Sequence, residues 1–124
     1  MTGKKENVLV IKSFAFAIRI VRLYQYLASE KKEFVLSKQL LRSGTAVGAL
    51  IREAQNAETK ADFIHKLGIA QKECDETSYW LELLKETEYL TNEEFESING
   101  NAIELLKIIR SSILTTKQKI NKPK

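Results

Sequence analysis

Residues able to do chemistry are few in this chain, and their spacing argues against most of it. Asp62 and His65 stand three residues apart, an echo of the carboxylate-x-x-histidine pair of di-iron bundles. Such sites need that motif twice plus two further inward carboxylates, and His65 is the one histidine present, so no metal centre is expected. Cys74 lies between Glu73 and Asp75. A nucleophilic thiolate wants an electropositive, partly open setting with a base beside it, whereas an apolar register flanked by carboxylates suits a small core residue. The carboxylate pairs Glu86/Glu88 and Glu93/Glu94 read as helix ends. Gly44 and Gly48 fall about one turn apart inside a helical pattern, outside the strand-loop-helix setting of a phosphate loop. The reading is of a protein that is not an enzyme and takes no cofactor.

The chemistry left over is cationic. Lys38, Arg42 and Arg52 recur at near-multiples of three to four and share a helix face, and Arg19 and Arg22 share another. A polyanion such as RNA or DNA laid across these side chains would bind by releasing counterions. The competing role is pairing with carboxylates, for which Glu53 is the nearest partner on the same helix. Both readings stand at this point.

Four helices must position these residues. From about 8 to 28 the first shows two apolar seams side by side: Ile11, Phe14, Ile18, Val21, and Phe16, Ile20, Leu23, Leu27. A bundle helix needs about a third of its circumference buried, so two seams predict subunit contacts, with a deeply seated helix as the alternative. The charged stretch SEKKE (Ser29 to Glu33) leads to a second helix over about 37 to 56. Its apolar residues are Leu40, Val47, Ile51 and Ala54, with small residues clustered around Gly44 and Gly48. Each glycine costs a helix about 1 kcal/mol relative to Ala, which calls for a compensating close approach of another backbone. Phe16, Ile20, Gly44 and Gly48 are therefore the candidates for close helix packing or subunit contact.

Thr59 with Asp62 resembles a capping box and opens a third helix, about 60 to 86. Along it Phe63, Leu67, Ala70, Cys74, Thr77, Leu81 and Leu84 alternate spacings of four and three, a bundle seam. Thr91 and Glu94 form a full capping box before a fourth helix, about 92 to 116, whose seam is Phe95, Ile98, Ala102, Leu105, Ile109. Asn99-Gly100-Asn101 is a turn signal, but the seam keeps phase across it and one helix is expected. Beyond about Thr116 the apolar mass gives out and a flexible tail is expected. Short links imply antiparallel neighbours, and the whole reads as a single all-α domain over 1–124, an antiparallel up-and-down four-helix bundle.

The 124 residues suffice for one core without metal or disulfide staples, and one cysteine allows no internal disulfide. A net charge of +4 is compatible with an anionic partner without demanding one. Part of it lies at the termini, at Lys4, Lys5, Lys117, Lys119, Lys122 and Lys124, where lysines usually serve as solvating tails. Lys12, Arg19 and Arg22 interrupt the N-terminal apolar run, so neither a signal peptide nor a membrane span is expected there. A cytoplasmic location is expected.

The stretches KSFAFAIRIVRLYQYL (Lys12 to Leu27), SKQLLRSGTAVGALIREAQNAETKADFIHKLGIAQKE (Ser37 to Glu73) and YWLELLKETEYL (Tyr79 to Leu90) resemble a known family. It comprises small bacterial four-helix bundle proteins first noticed as reading frames in intervening sequences of large-subunit rRNA genes. Two positions depart from its pattern: Leu50 stands where Asn is common, and Arg52 where Ala is common. The resemblance implies an antiparallel bundle assembled as a ring-like homopentamer and no established catalysis. It further implies kinship with the accessory variability protein of diversity-generating retroelements, a positively charged pentamer that works with a reverse transcriptase and RNA. Expected partners are thus further copies of the chain, RNA or DNA through a basic surface, or, as the alternative, a protein partner in an assembly or adaptor role.

Overall fold

The structure, a computed structural model, describes the backbone of residues 4–121 and the side chains of residues 8–121. It consists of α1 (Lys4–Ser29), α2 (Leu36–Gln55), α3 (Lys60–Glu86) and α4 (Asn92–Asn121). Each helix packs on its neighbours in chain order, α4 closes the ring on α1, and among the described residues the helix backbones do not approach each other across either diagonal. That is the antiparallel up-and-down bundle expected of long helices joined by short links.

Three helices bury the seams read from their spacing. In α3 the buried residues are Phe63, Leu67, Ala70, Cys74, Thr77, Leu81 and Leu84. In α2 Leu40, Val47, Ile51 and Ala54 face the core, and in α4 Ile98, Ala102, Leu105 and Ile109 do, while Phe95 at the head of that seam is only partly buried. Thr77 and Ser43 satisfy each other inside, their hydroxyl oxygens 3.0 Å apart between α3 and α2. On α1 only one of the two seams turns inward: Phe16, Ile20 and Leu27 are buried with Leu9.

The helix ends have identifiable causes. At α4 the capping box forms in both directions, Thr91 N donating to Glu94 Oε1 at 2.8 Å and Glu94 N to Thr91 Oγ1 at 3.1 Å. Thr59 Oγ1 accepts from Asp62 N at 3.0 Å at the start of α3. For α2 the cap is Glu33, in the stretch that reads from sequence as a mere charged connection. Its carboxylate accepts from the backbone N–H groups of Val35, Leu36 and Ser37 at 3.1, 3.0 and 2.7 Å, while Ser37 Oγ donates to the Glu33 carbonyl. These are the donors a helix start otherwise leaves unsatisfied.

Two boundaries differ from the spacing-based expectation. Helix α1 begins at Lys4 rather than near 8, and α4 runs through Asn121 rather than stopping near 116. Apolar mass decides where a helix is buried, not where it ends. Lys, Gln and Ile sustain a helix, and nothing with the character of a breaker occurs before Pro123. Asn99-Gly100-Asn101 lies within unbroken α4. The tail expected to be flexible is thus helical through Asn121, and residues 122–124 lie outside the described residues, as do the side chains of Lys4 and Lys5.

Candidate assembly and nucleic-acid surfaces

The second apolar seam of α1 points away from the core. Ile11 is 68% exposed, Phe14 51%, Ile18 40% and Val21 37%. At 1.5 Å per residue this stripe runs for about 15 Å. Phe14 forms its ridge, with a shallow groove of about 430 Å³ on either side. One groove continues onto α2 over Thr45, Gly48 and Ala49, where the small residues keep the floor low. The other follows α1 past Ile18 and Val21 to Gln25.

Close approach of α1 and α2 explains both glycines. A Cβ on Gly44 would stand 2.8 Å from Cγ1 and Cγ2 of Ile20, closer than side chains pack, and one on Gly48 would come 3.3 Å from the carbonyl oxygen of Ser13. Phe16 and Ile20 are buried within the chain, so their role here is close helix packing, and the side chains of α1 open to a partner are those of the other seam.

The five candidate cations separate once the helices are in place. Arg19 clamps α1 to α4, its guanidinium donating to Asn101 Oδ1 at 2.6 Å, to Ser97 Oγ at 3.1 Å and to the Ser97 carbonyl at 3.3 Å. Arg22 lines a cleft of about 570 Å³ between α1 and α4 over Leu23, Leu90 and Ile98, a cleft that Glu93 and Glu94 also line. Arg42 leans to α3 and pairs with Glu73 at 3.2 Å and with Glu76. Arg52 leans the other way, its guanidinium carbon 4.9 Å from the centre of the Phe14 ring, a cation–π contact. Lys38 is exposed on the outer face of α2 and enters no ion pair among the described residues. Glu53, the nearest carboxylate in sequence, is taken by Lys66 at 3.0 Å.

Electrostatics follow these pairings. Trp80 Nε1 donates to Glu76 at 3.0 Å, and that bond, joined by Arg42, holds the Glu76 carboxyl below the usual carboxylate range. The Arg42 guanidinium is held more firmly charged, chiefly by Glu76. Burial, helped by the nearby Asp75 charge and opposed by that of Arg110, pushes the Cys74 thiol up to about 12. Its Sγ donates to the Ala102 carbonyl at 3.3 Å, as an inert core thiol would. His65 is exposed, and among the described residues no three His, Cys, Asp or Glu side chains converge as a metal site. No helix is long and apolar enough to cross a membrane among the described residues.

Sequence reasoning missed Glu33 and a second run of cations, Lys107, Arg110, Lys117 and Lys119, half of which it set aside as tail. The available signal was that no acidic residue follows Glu104.

A protein-family model described as 23S rRNA-intervening sequence protein matches residues 5–111. Among solved structures, the chain is similar to a protein of unknown function from the S23 ribosomal protein family of Bacteroides thetaiotaomicron. The two are 58% identical with a TM-score of 0.88, over 89% of this chain and 98% of the other. A search of curated proteins returned no significant match. With the family model spanning nearly the whole bundle, the chain belongs to the 23S rRNA-intervening sequence protein family.

Proposed function

We propose that this protein is a non-enzymatic bundle that assembles with copies of itself through the outer face of α1 and the adjoining face of α2, and that the assembly presents cations to RNA or DNA. The observation that carries the first part is the exposed stripe Ile11, Phe14, Ile18, Val21. The Phe14 ridge on α1 and the groove that continues onto α2 are distinct patches, so the ridge of one copy can enter the groove of the next, the head-to-tail contact that a closed ring requires. Ring closure at five subunits is what the family resemblance implies. Arg52, stacked on Phe14 at the edge of this face, gives it a polar rim of the kind interfaces have.

Light scattering at micromolar concentration tests the assembly, since a mass near the 14.2 kDa of one chain removes it. Phe14→Glu with Ile18→Glu is expected to give that monomeric mass with helicity unchanged, because both side chains lie outside the core.

The nucleic-acid part is supported by the net charge of +4 and by the family's description, which ties its members to rRNA intervening sequences. A protein-only adaptor role is favoured by one observation of its own: Arg19, Arg42 and Arg52 are already engaged within the chain. Titrating binding to a structured RNA against salt separates the two. Steep loss of affinity with salt supports nucleic acid, and absence of binding at low salt supports the adaptor.

A further inference from the structure

We propose that the nucleic-acid surface is the C-terminal half of α4 together with the adjoining start of α3, rather than the cations of α2; this rests on the nucleic-acid reading above. Helix α4 is divided by charge. Residues 92–104 hold Glu93, Glu94, Glu96 and Glu104 and no cation, whereas residues 105–121 hold Lys107, Arg110, Lys117 and Lys119 and no carboxylate. All four cations are exposed, and among the described residues none joins an ion pair, in contrast to Lys12, Arg42, Lys66 and Lys85.

The helix dipole does not account for the pattern. Its effect fades within the last turn, which contains only Lys119, while Lys107 and Arg110 lie roughly three to four turns from the end. At about 100° per residue Lys107, Arg110 and Lys117 fall within roughly 80° of arc on the outer side of α4.

The register of α3 against α4 extends the surface. Cys74 bonds to Ala102 and Ser78 Oγ donates to Asn99 Oδ1 at 2.8 Å, so the antiparallel start of α3 lies beside the basic half of α4. That start adds Lys60 and Lys72, both exposed and outside any ion pair among the described residues, against Asp62 and Asp75. Between them a Cβ on Gly68 would meet nothing within 4 Å, so the surface is low and open.

The chemistry that fits is a phosphate backbone. Lys107 to Lys117 spans about 15 Å, and one strand of a duplex presents a charge about every 3.4 Å, roughly four phosphates for three cations. A membrane surface fits less well, because it needs a broad apolar face, whereas the exposed Ile103 and Leu114 lie about three turns apart and the exposed Ile120 falls roughly 100–120° round the helix from both. The surface lies outside the proposed assembly face, since the grooves beside the apolar stripe are lined by α1 and α2 alone.

The test compares two variants of the full chain in their assembled form, by fluorescence anisotropy on a structured RNA hairpin across a salt series. Lys107→Gln, Arg110→Gln and Lys117→Gln together are expected to weaken binding at least about tenfold and to flatten the salt slope by about two to three units per protomer. Lys38→Gln with Arg42→Gln, both on α2 and outside the proposed assembly face, is expected to stay within about twofold of the unaltered protein on that electrostatic account. Circular dichroism melts and light scattering are expected to show both variants folded and assembled. Binding that survives the α4 triple substitution but not the α2 double one overturns this assignment and leaves nucleic-acid binding standing. Failure of the unaltered protein to bind RNA at low salt overturns both, and binding to anionic vesicles in place of RNA does likewise.

Discussion

Replacing Glu33 by Gln removes the charge that the backbone N–H groups of Val35, Leu36 and Ser37 point at where α2 begins. Burial opposes ionisation of this carboxyl, but those backbone bonds outweigh it, and its affinity for a proton falls below the ordinary value of 4.5. A carboxyl whose folded value is lowered stabilises the fold above its unfolded value, and loses that contribution as pH falls through the folded one. The expected outcome is a melting temperature at pH 7 lowered by the equivalent of about 1–2 kcal/mol in Glu33→Gln, and an acid limb below pH 4.5 that is flatter than in the unaltered protein. Melts across a pH series check both, and an unchanged acid limb rejects the role given to Glu33. Packing at the glycines is graded in the same way. Leucine at Gly44 drives into buried Ile20, leucine at Gly48 presses on the Ser13 carbonyl but can spread into the open groove, and Cys74→Ala deletes one small group. Melting temperatures should fall in that order, most for Gly44→Leu, with overpacking typically costing about 1–3 kcal/mol.

Between elements, the ties are of unequal weight. Arg42 links α2 to α3 through Glu73 and Glu76, yet its side chain is 50% exposed. Solvent screens such pairs to about 0–1 kcal/mol each, so Arg42→Gln is expected to lower the melting temperature only slightly and to leave the oligomer mass unchanged. A large loss would place Arg42 in a buried interface, where an abandoned carboxylate costs about 3–5 kcal/mol. The α1–α4 seam is the thinnest in the bundle, and there Arg19 reaches across to Ser97 and Asn101 while Lys12 meets Glu104 at 3.1 Å. These polar clamps stand where the cleft leaves fewer apolar contacts to hold the helices together.

For the whole molecule, symmetry sets the strength of any weak surface. The proposed surface offers only a handful of cations per protomer, and an assembly that lets several protomers engage one RNA converts later contacts into intramolecular ones. The monomeric double variant at Phe14 and Ile18 keeps every α4 cation, yet it is expected to bind the same hairpin about 10²-fold more weakly than the assembly. Anisotropy on purified monomer checks this, and equal affinity would mean that each protomer binds alone.

How much of this was legible in the residues follows from the range of the forces. The inward registers of α2, α3 and α4, the Thr91 capping box and the four-helix architecture rest on periodicity and on contacts within a turn, so the chain by itself determined them. The division of α4 into acidic and basic halves was equally visible, though whether its end was tail or rigid helix was not. Tertiary structure decided what depends on distant partners. Both seams of α1 have helical spacing, and only the placement of α2 and α4 buries Phe16 and Ile20 and leaves Phe14 and Ile18 outside. Arg42 finds carboxylates 31 and 34 residues away instead of Glu53 on its own helix, because packing brings α3 within reach of its long side chain. Exposure is a property of how helices meet, and no single helix encodes it.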